Sequence, residues 1–329
     1  MRPTLVATLG LAVLGLGCQS PAAEPAPASA APASARPGPL SQAPPGFWER
    51  WGDGQAELSG YALTQPRYGE LRHGEAVLVV VREDFTLAQR VKSDGGHDDE
   101  YPVLKLNEVR DFQTGIYDYN LLTSTFLPLG GQTPRGLPTK LSMSMQEWCG
   151  SATEQLLFDL GRGGALSARR SRHSYFDGEG DQQDTVALPA GTVAADGLPL
   201  LVRGLVGELT PPGGTAQVQL LPRLTDLRLQ HRPLEIQSAS LARAATPTTV
   251  TVPAGTFSVE TWTLRAGDKL SHYQVELAPP HRLVAWDRSD GEAGQLTGSR
   301  RGAYWTEHSE GDEALRAELG LPAHTWPQP

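Results

Sequence analysis

The residues best equipped for chemistry share one stretch, "SMSMQEWCGSATEQLLF", where Gln146, Glu147, Trp148 and Cys149 are consecutive. A cysteine attacks only as its thiolate, so it needs a cation or a helix N-terminus to lower its pKa. Glu147 is a carboxylate and pushes the other way. No histidine lies close by in sequence, so a base such as His73 or His173 would have to be supplied by the fold. The pattern favours a small buried residue packed beside Trp148 at the end of a strand. The alternatives are a catalytic thiol and an intermolecular disulfide.

A second constellation is the loop "FDGEGDQQD", with Asp177, Glu179, Asp181 and Asp184. Alternating carboxylates on a Gly-rich loop can wrap Ca²⁺. The EF-hand pattern fails here, because Gln182 stands where its glycine is required and the closing Glu is missing. A solvated hairpin loop is the favoured reading, with Ca²⁺ as the one conceivable cofactor. "SDGGHDDE", from Ser93 to Glu100, is a second acidic loop without metal-ligand spacing. Beside the first loop runs "ARRSRH", with Arg169, Arg170, Arg172 and His173. It reads as a solvated strand that pairs with its own hairpin loop, or as a site for an anionic headgroup. No Gly-x-Ser-x-Gly elbow, HExxH, Walker loop or dinucleotide fingerprint appears. The residues thus point to a binding or structural role. An enzyme using Cys149 or an acidic-loop metal is the alternative.

These residues need elements to hold them, and the body of the chain reads as strands. "AELSGYAL", "EAVLVVVREDF", "YPVLKLNEVRDF", "LLTSTFLPL" and "TKLSMSMQEW" follow one another with Gly/Pro turns between them. In the third, Leu104 and Leu106 alternate with Val103, Lys105 and Asn107. "ALSARRSRHSYF" and "DTVALPA" flank the acidic loop as a hairpin. "TAQVQLLP", "LRLQHRPLEIQSASL", "TTVTVPAGTFSVETWTLRAG", "SHYQVELAPPHRLVAWDRS" and "GQLTGSRRGAYW" continue the pattern. Helix is confined to Asp196–Leu205 and a terminal Gly311–Leu321. Many strands without crossover helices predict a mainly β fold of curved antiparallel sheets, half-barrel-like, with one or two short helices. The body, 47–329, divides into possible halves at 47–190 and 191–310 and ends in the terminal helix.

The N-terminus is of a different kind. Arg2 and the apolar run Leu5–Leu16 read as a signal peptide over residues 1–17, too short to span a bilayer. "LGLGC" resembles the lipobox of bacterial lipoproteins, whose cysteine carries diacylglycerol; Cys18 matches it, while Gly15 departs from the preferred Leu. Residues 18–46 then form a Pro/Ala/Ser-rich tether with too little apolar surface to fold. At about 3 Å per residue it reaches roughly 80 Å. Gln19 after the cysteine implies the outer membrane, on its periplasmic or surface face, rather than the inner. With Cys18 lipidated, Cys149 has no partner within the chain, since there are only 2 cysteines. The formal charge of −9 argues against a nucleic-acid partner. The expected partners are the membrane, through the anchor, and an amphiphile or envelope protein.

Two groups of motifs carry a resemblance over most of residues 47–305. "ADGLPLLVRGL", "TVTVPAGTFSVETWTL" and "ELAPPHRLVAWDRSDGEAGQLTGSR" look like the C-terminal part of a bacterial family of unknown function. "YALTQPRYGELRHGEAVLVVVREDF", "PVLKLN", "FQTGIYDYNLLTSTF" and "QEWCG" look like uncharacterised exported proteins, some labelled septum formation inhibitor Maf. True Maf proteins are cytoplasmic nucleotide pyrophosphatases with a "SxSPRR"-type loop. This chain has no such loop, so the label does not fit it. The resemblance implies an exported protein of unknown role.

Overall fold

The computed structural model describes residues 43–130, 132–161 and 164–324. Cys18, the leader and the greater part of the tether lie outside them. After a short helix, α1 (Phe47–Trp51), come β1 (Ala56–Arg67), β2 (Glu70–Thr86), β3 (Glu100–Thr114) and β4 (Tyr117–Pro128). They are followed by β5 (Lys140–Glu147), β6 (Gly150–Leu160), β7 (Leu166–Ser174) and β8 (Gln182–Leu188). The second run is β9 (Thr192–Ala194), α2 (Leu198–Leu201), β10 (Thr215–Leu221), α3 (Leu224–Leu229), β11 (Gln237–Arg243) and β12 (Thr248–Val252). It closes with β13 (Gly255–Ala266), β14 (Lys269–Glu276), β15 (Leu283–Arg288) and β16 (Ala293–Gly302).

All of these strands belong to one 16-stranded sheet. From β8 back to β1 it is a simple meander; β1 then pairs with β16, and the path runs on through β15, β14, β13, β11 and β10 to β9. Every pairing is antiparallel except β9 with β10. The two edges, β8 and β9, are consecutive in the chain, with only residues 189–191 between them. A sheet whose two edges are joined by so short a link has curled back on itself into a nearly closed barrel. The expected mainly β, curved antiparallel architecture is therefore present. Segments 47–190 and 191–310 supply β1–β8 and β9–β16, joined edge to edge by the β1–β16 pairing.

The alternation in β3 decides the inner face. Leu104 and Leu106 point to the core, and Val80, Leu121, Leu141 and Phe158 from neighbouring strands join them. β1 and β2 are buried on both faces. Val79 and Val81 face outward with Ala56 and Leu58, where Leu319 and Leu321 cover them. That second cover explains why β2 reads as a continuous apolar run. The covering segment is a 3₁₀ helix, Asp312–Leu319, within the span expected to form the terminal helix, Gly311–Leu321. The helix expected over Asp196–Leu205 is a 3₁₀ turn, Ala195–Gly197, running into α2.

One stretch needs correction. "LRLQHRPLEIQSASL" is not a strand from its start: its first residues end α3, and β11 begins at Gln237. Leu224, Leu227 and Arg228 are all buried, so α3 sits inside the fold. A buried carboxylate, Asp196, accepts the Leu224 N–H at 3.2 Å and so satisfies an otherwise orphan amide of that helix.

The core also holds charge. Glu292 is almost fully buried and takes Arg110 at 3.1 Å, Arg223 at 2.7 Å and Arg288 at 3.0 Å. Trp286 Nε1 donates to the same carboxylate at 3.2 Å. Trp286 lies flat on Gly294, where a Cβ would meet its ring at 2.2 Å, so only glycine permits this approach. Arg110 also binds Glu108 at 2.8 Å and Gln65 at 3.0 Å, and Arg288 binds Asp226 at 2.7 Å. The cluster ties β3, α3 and the β15–β16 corner together.

Candidate functional site

The stretch that opened the sequence question is a hairpin tip. Glu147 and Gly150 face each other at the ends of β5 and β6, and Trp148 and Cys149 form the turn. Cys149 is exposed, and Trp148 is 70% exposed. The expectation of a small buried cysteine beside a packed tryptophan is thus overturned. The strand ends two residues earlier than a buried Cys149 requires. Glu147 Oε2 accepts the Cys149 N–H at 2.7 Å. A separate hydrogen bond from the thiol to the Glu147 carboxylate, then desolvation and the carboxylate's negative charge, push the thiol above its ordinary pKa. A thiol so placed has less thiolate than free cysteine at the same pH. We expect Cys149 in the native protein to alkylate more slowly than free cysteine at pH 8. Glu147→Gln should speed it several-fold; an unchanged rate would show that Glu147 does not govern the thiol. Gln146 is exposed on the last residues of β5.

The acidic loop lies between β7 and β8, as expected, but its carboxylates part company. Glu179 turns inward, taking Ser174 Oγ at 2.9 Å and His231 Nδ1 at 3.0 Å, and it pairs with Arg228. Asp181 faces His173 at 3.1 Å, and Asp184 lies 3.7 Å from Arg170. Asp177 is exposed. Among the described residues, no group of three or more His, Cys, Asp or Glu stands together as a metal site.

What the loop does build is the wall of a pocket. A cavity of about 310 Å³ lies between the inner face of β5–β8 and the end of α3. Alternation along β7 splits the basic cluster: Arg170 and Arg172 line the pocket, while Arg169 points away and pairs with Asp159 at 3.1 Å. Arg228 and Arg232 close the pocket from α3 and the chain after it, with His231 between them. Arg170 Nε meets Glu154 at 2.9 Å, and Arg172 Nη2 donates to the Glu179 carbonyl at 2.9 Å. Phe176 lies under Arg228, its ring centre 3.7 Å from the guanidinium carbon, a cation–π contact. Burial raises the Glu154 pKa and outweighs Arg170 and Arg172. Burial likewise lowers that of Arg228 against the pull of Glu179.

Four arginines here face two carboxylates, Glu154 and Glu179. The excess is positive inside a chain of net charge −9. Such a pocket suits an anion, held by guanidinium forks. Cys149 does not line it. "ARRSRH" announced half of the site; Arg228, His231 and Arg232 were hidden in a stretch read as strand.

A larger cleft, of about 630 Å³, lies on another part of the barrel, floored by Trp262, Leu201 and Val275. Its charges are matched: Arg243 binds Glu260 at 2.9 Å and Glu208 at 3.1 Å, and Arg203 binds Glu57 at 2.7 Å. Ala43, Pro44 and Pro45 line it, so the chain itself enters the fold along this cleft.

No family model matches the chain, and no curated protein matches it either. Among solved structures, it is similar to a beta-barrel-like protein of a domain of unknown function (DUF1849) from Brucella abortus. Identity is 12% and the TM-score 0.42, covering 75% of this chain and 98% of that one. A second is an inferred exported protein with a YmcC-like fold from Bacteroides fragilis, at 13% identity and TM-score 0.19, covering 75% and 95%.

Proposed function

We propose that this is an exported lipoprotein, anchored through Cys18 to the outer membrane, that binds an anionic amphiphile rather than catalysing a reaction. The observation that carries the reading is the cation excess of the β5–β8 pocket in an otherwise acidic chain. Export and anchoring rest on the leader, the lipobox-like "LGLGC" and the tether after it. The ligand's head, a phosphate or carboxylate, sits among Arg170, Arg172, Arg228 and Arg232. Met143, Leu227 and Leu234 offer the apolar part of the lining. The exposed Cys149, its thiolate disfavoured by Glu147, weighs against the enzyme reading.

The test is calorimetric titration with decyl phosphate and with uncharged decyl maltoside. Decyl phosphate should bind, and more weakly as salt rises. Arg172→Gln and Arg232→Gln should each weaken it about tenfold, as expected for losing one charge-assisted hydrogen bond. Equal binding of both detergents, or of neither, would sink the proposal.

A further inference from the structure

In an antiparallel meander every second turn falls at the same end of the sheet. The β1–β2, β3–β4, β5–β6 and β7–β8 turns therefore share one rim. Three of them carry a large apolar residue in the turn itself, and the longer β7–β8 loop carries one at its start, before its acidic turn. Tyr68 is 58% exposed, Ile116 78%, Trp148 70% and Tyr175 71%, with Leu71 at 56% beside the first. Tyr117 links two of the tips, Tyr68 and Trp148. Tyr68 and Tyr117 hydroxyls are 3.4 Å apart, and the Tyr117 and Trp148 rings are 6.5 Å apart. Tyr175 lies against Gly150, where a Cβ would stand 2.4 Å from its ring.

We propose that this rim dips into the interface of a lipid bilayer. Its shape is a line of turn tips, each with one exposed apolar side chain. Over the β1–β6 tips its composition is Trp and Tyr with single aliphatic side chains, the residues that settle at headgroup depth, whereas the β13–β14 and β15–β16 turns at the same end are polar, so it is the β1–β6 side that enters. Charged residues stand just behind three of the tips, with Arg67, Glu70 and Arg72 behind Tyr68, Asp118 behind Ile116 and Glu147 behind Trp148, while Asp177 and Asp181 stand beyond Tyr175 and keep that loop at the water side. They limit insertion to a shallow depth. The occupant follows from the chain outside the described residues, which leads back to Cys18, so the inference rests on the anchor reading. The tether enters the fold near the far end of β1 from Tyr68. Its reach of roughly 80 Å nevertheless exceeds the ~40 Å length of a 12-residue strand. An anchored protein needs little intrinsic affinity for the rim to engage. The Arg170–Arg228 pocket lies on the inner face toward the same rim, so a bilayer held there would face the site of the anionic head.

Cys149 supplies the reporter. In the chain from Gln19 on, made without the leader and without Cys18, it is the sole thiol, because the sequence has 2 cysteines. A nitroxide on Cys149 is exposed to phosphatidylcholine vesicles, with and without phosphatidylglycerol, and its depth is read from oxygen and nickel-chelate accessibility. The label should leave water for headgroup depth on both vesicles. The double variant Trp148→Ser with Ile116→Ser should lower vesicle partition about tenfold or more, matching the apolar area removed. A label that stays in water at saturating lipid overturns the proposal. So does a label immobilised without vesicles, which would report pairing of rims between proteins. The anchor is tested apart from this, by intact mass of the native protein. A missing diacylglycerol would refute the anchor and leave the rim result standing, whereas a failed rim would leave the mass unchanged.

Discussion

Replacing Glu292 by Gln should cost about 3–5 kcal/mol of folding stability, the range for breaking a buried ion pair from one side. Glu292 is 1% exposed and is shared by Arg110, Arg223 and Arg288. Glutamine keeps an oxygen for Trp286 but leaves three guanidinium groups to be balanced by Glu108 and Asp226. Burial pushes the Glu292 carboxyl up, but the three arginines outweigh it and hold it well below the usual carboxylate range. Its folded pKa is therefore depressed. The stability it contributes is fully present above the ordinary Glu pKa and is lost as pH falls below that value. At neutral pH the whole effect of the substitution should show as a lower urea midpoint. Lys92→Gln is the control. It breaks the Lys92–Asp94 pair, whose side chains are 61% and 89% exposed, and should leave the urea midpoint almost unchanged. Equal midpoints for the Glu292 variant and the parent would mean that the cluster does not hold the barrel.

Asp196→Asn should act in the opposite direction and with the opposite pH dependence. Burial pushes the Asp196 carboxyl up to about 7, outweighing the attraction of Arg223. Its Oδ2 accepts the Leu224 amide, while Oδ1 has no hydrogen-bond partner. A raised folded pKa contributes stability that is present below the unfolded value, near 4. That contribution is lost progressively as pH rises to the folded value. Between pH 4 and 7 the stability gap between variant and parent should therefore widen in favour of asparagine. The expected widening is about 3 kcal/mol, from roughly three pKa units at 1.36 kcal/mol each less the partial ionisation at both ends of the range. Thermal melts of both proteins across that range provide the measurement. Parallel curves would show that Asp196 ionises as freely in the fold as in the unfolded chain.

Strand periodicity made most of the fold legible. Leu104 and Leu106 named the inner face of β3, and the flanks of the acidic loop named the β7–β8 hairpin. The same alternation hid the charged core. Glu108 and Arg110 continue the inward row after Leu106, yet polar residues on a strand ordinarily signal solvent. Their partners Arg223, Arg288 and Glu292 lie far away in sequence, so no local pattern could pair them. Cys149 was misread for a different reason. A two-residue hairpin turn usually advertises itself with Asn or Gly. Here the turn is Trp148-Cys149, two residues whose ordinary place is the interior. The pocket was half legible, because Arg170 and Arg172 sit in a visible cluster. Arg228 needed α3 to be recognised as a helix inside the barrel.

The register of β1 has a consequence for when the molecule can exist at all. β2 finds β1 through a tight turn, but the other neighbour of β1 is β16, with Ala56 opposite Gly302 and Thr64 opposite Ala293. Hairpins from β1 to β8 can assemble one after another as the chain is made. The free edge of β1 must then wait for almost the last part of the chain. High contact order of this kind makes closure slow and leaves a sticky strand edge unsatisfied meanwhile. A chain cut short before Ala293 would carry that edge permanently and should aggregate rather than persist as a smaller domain.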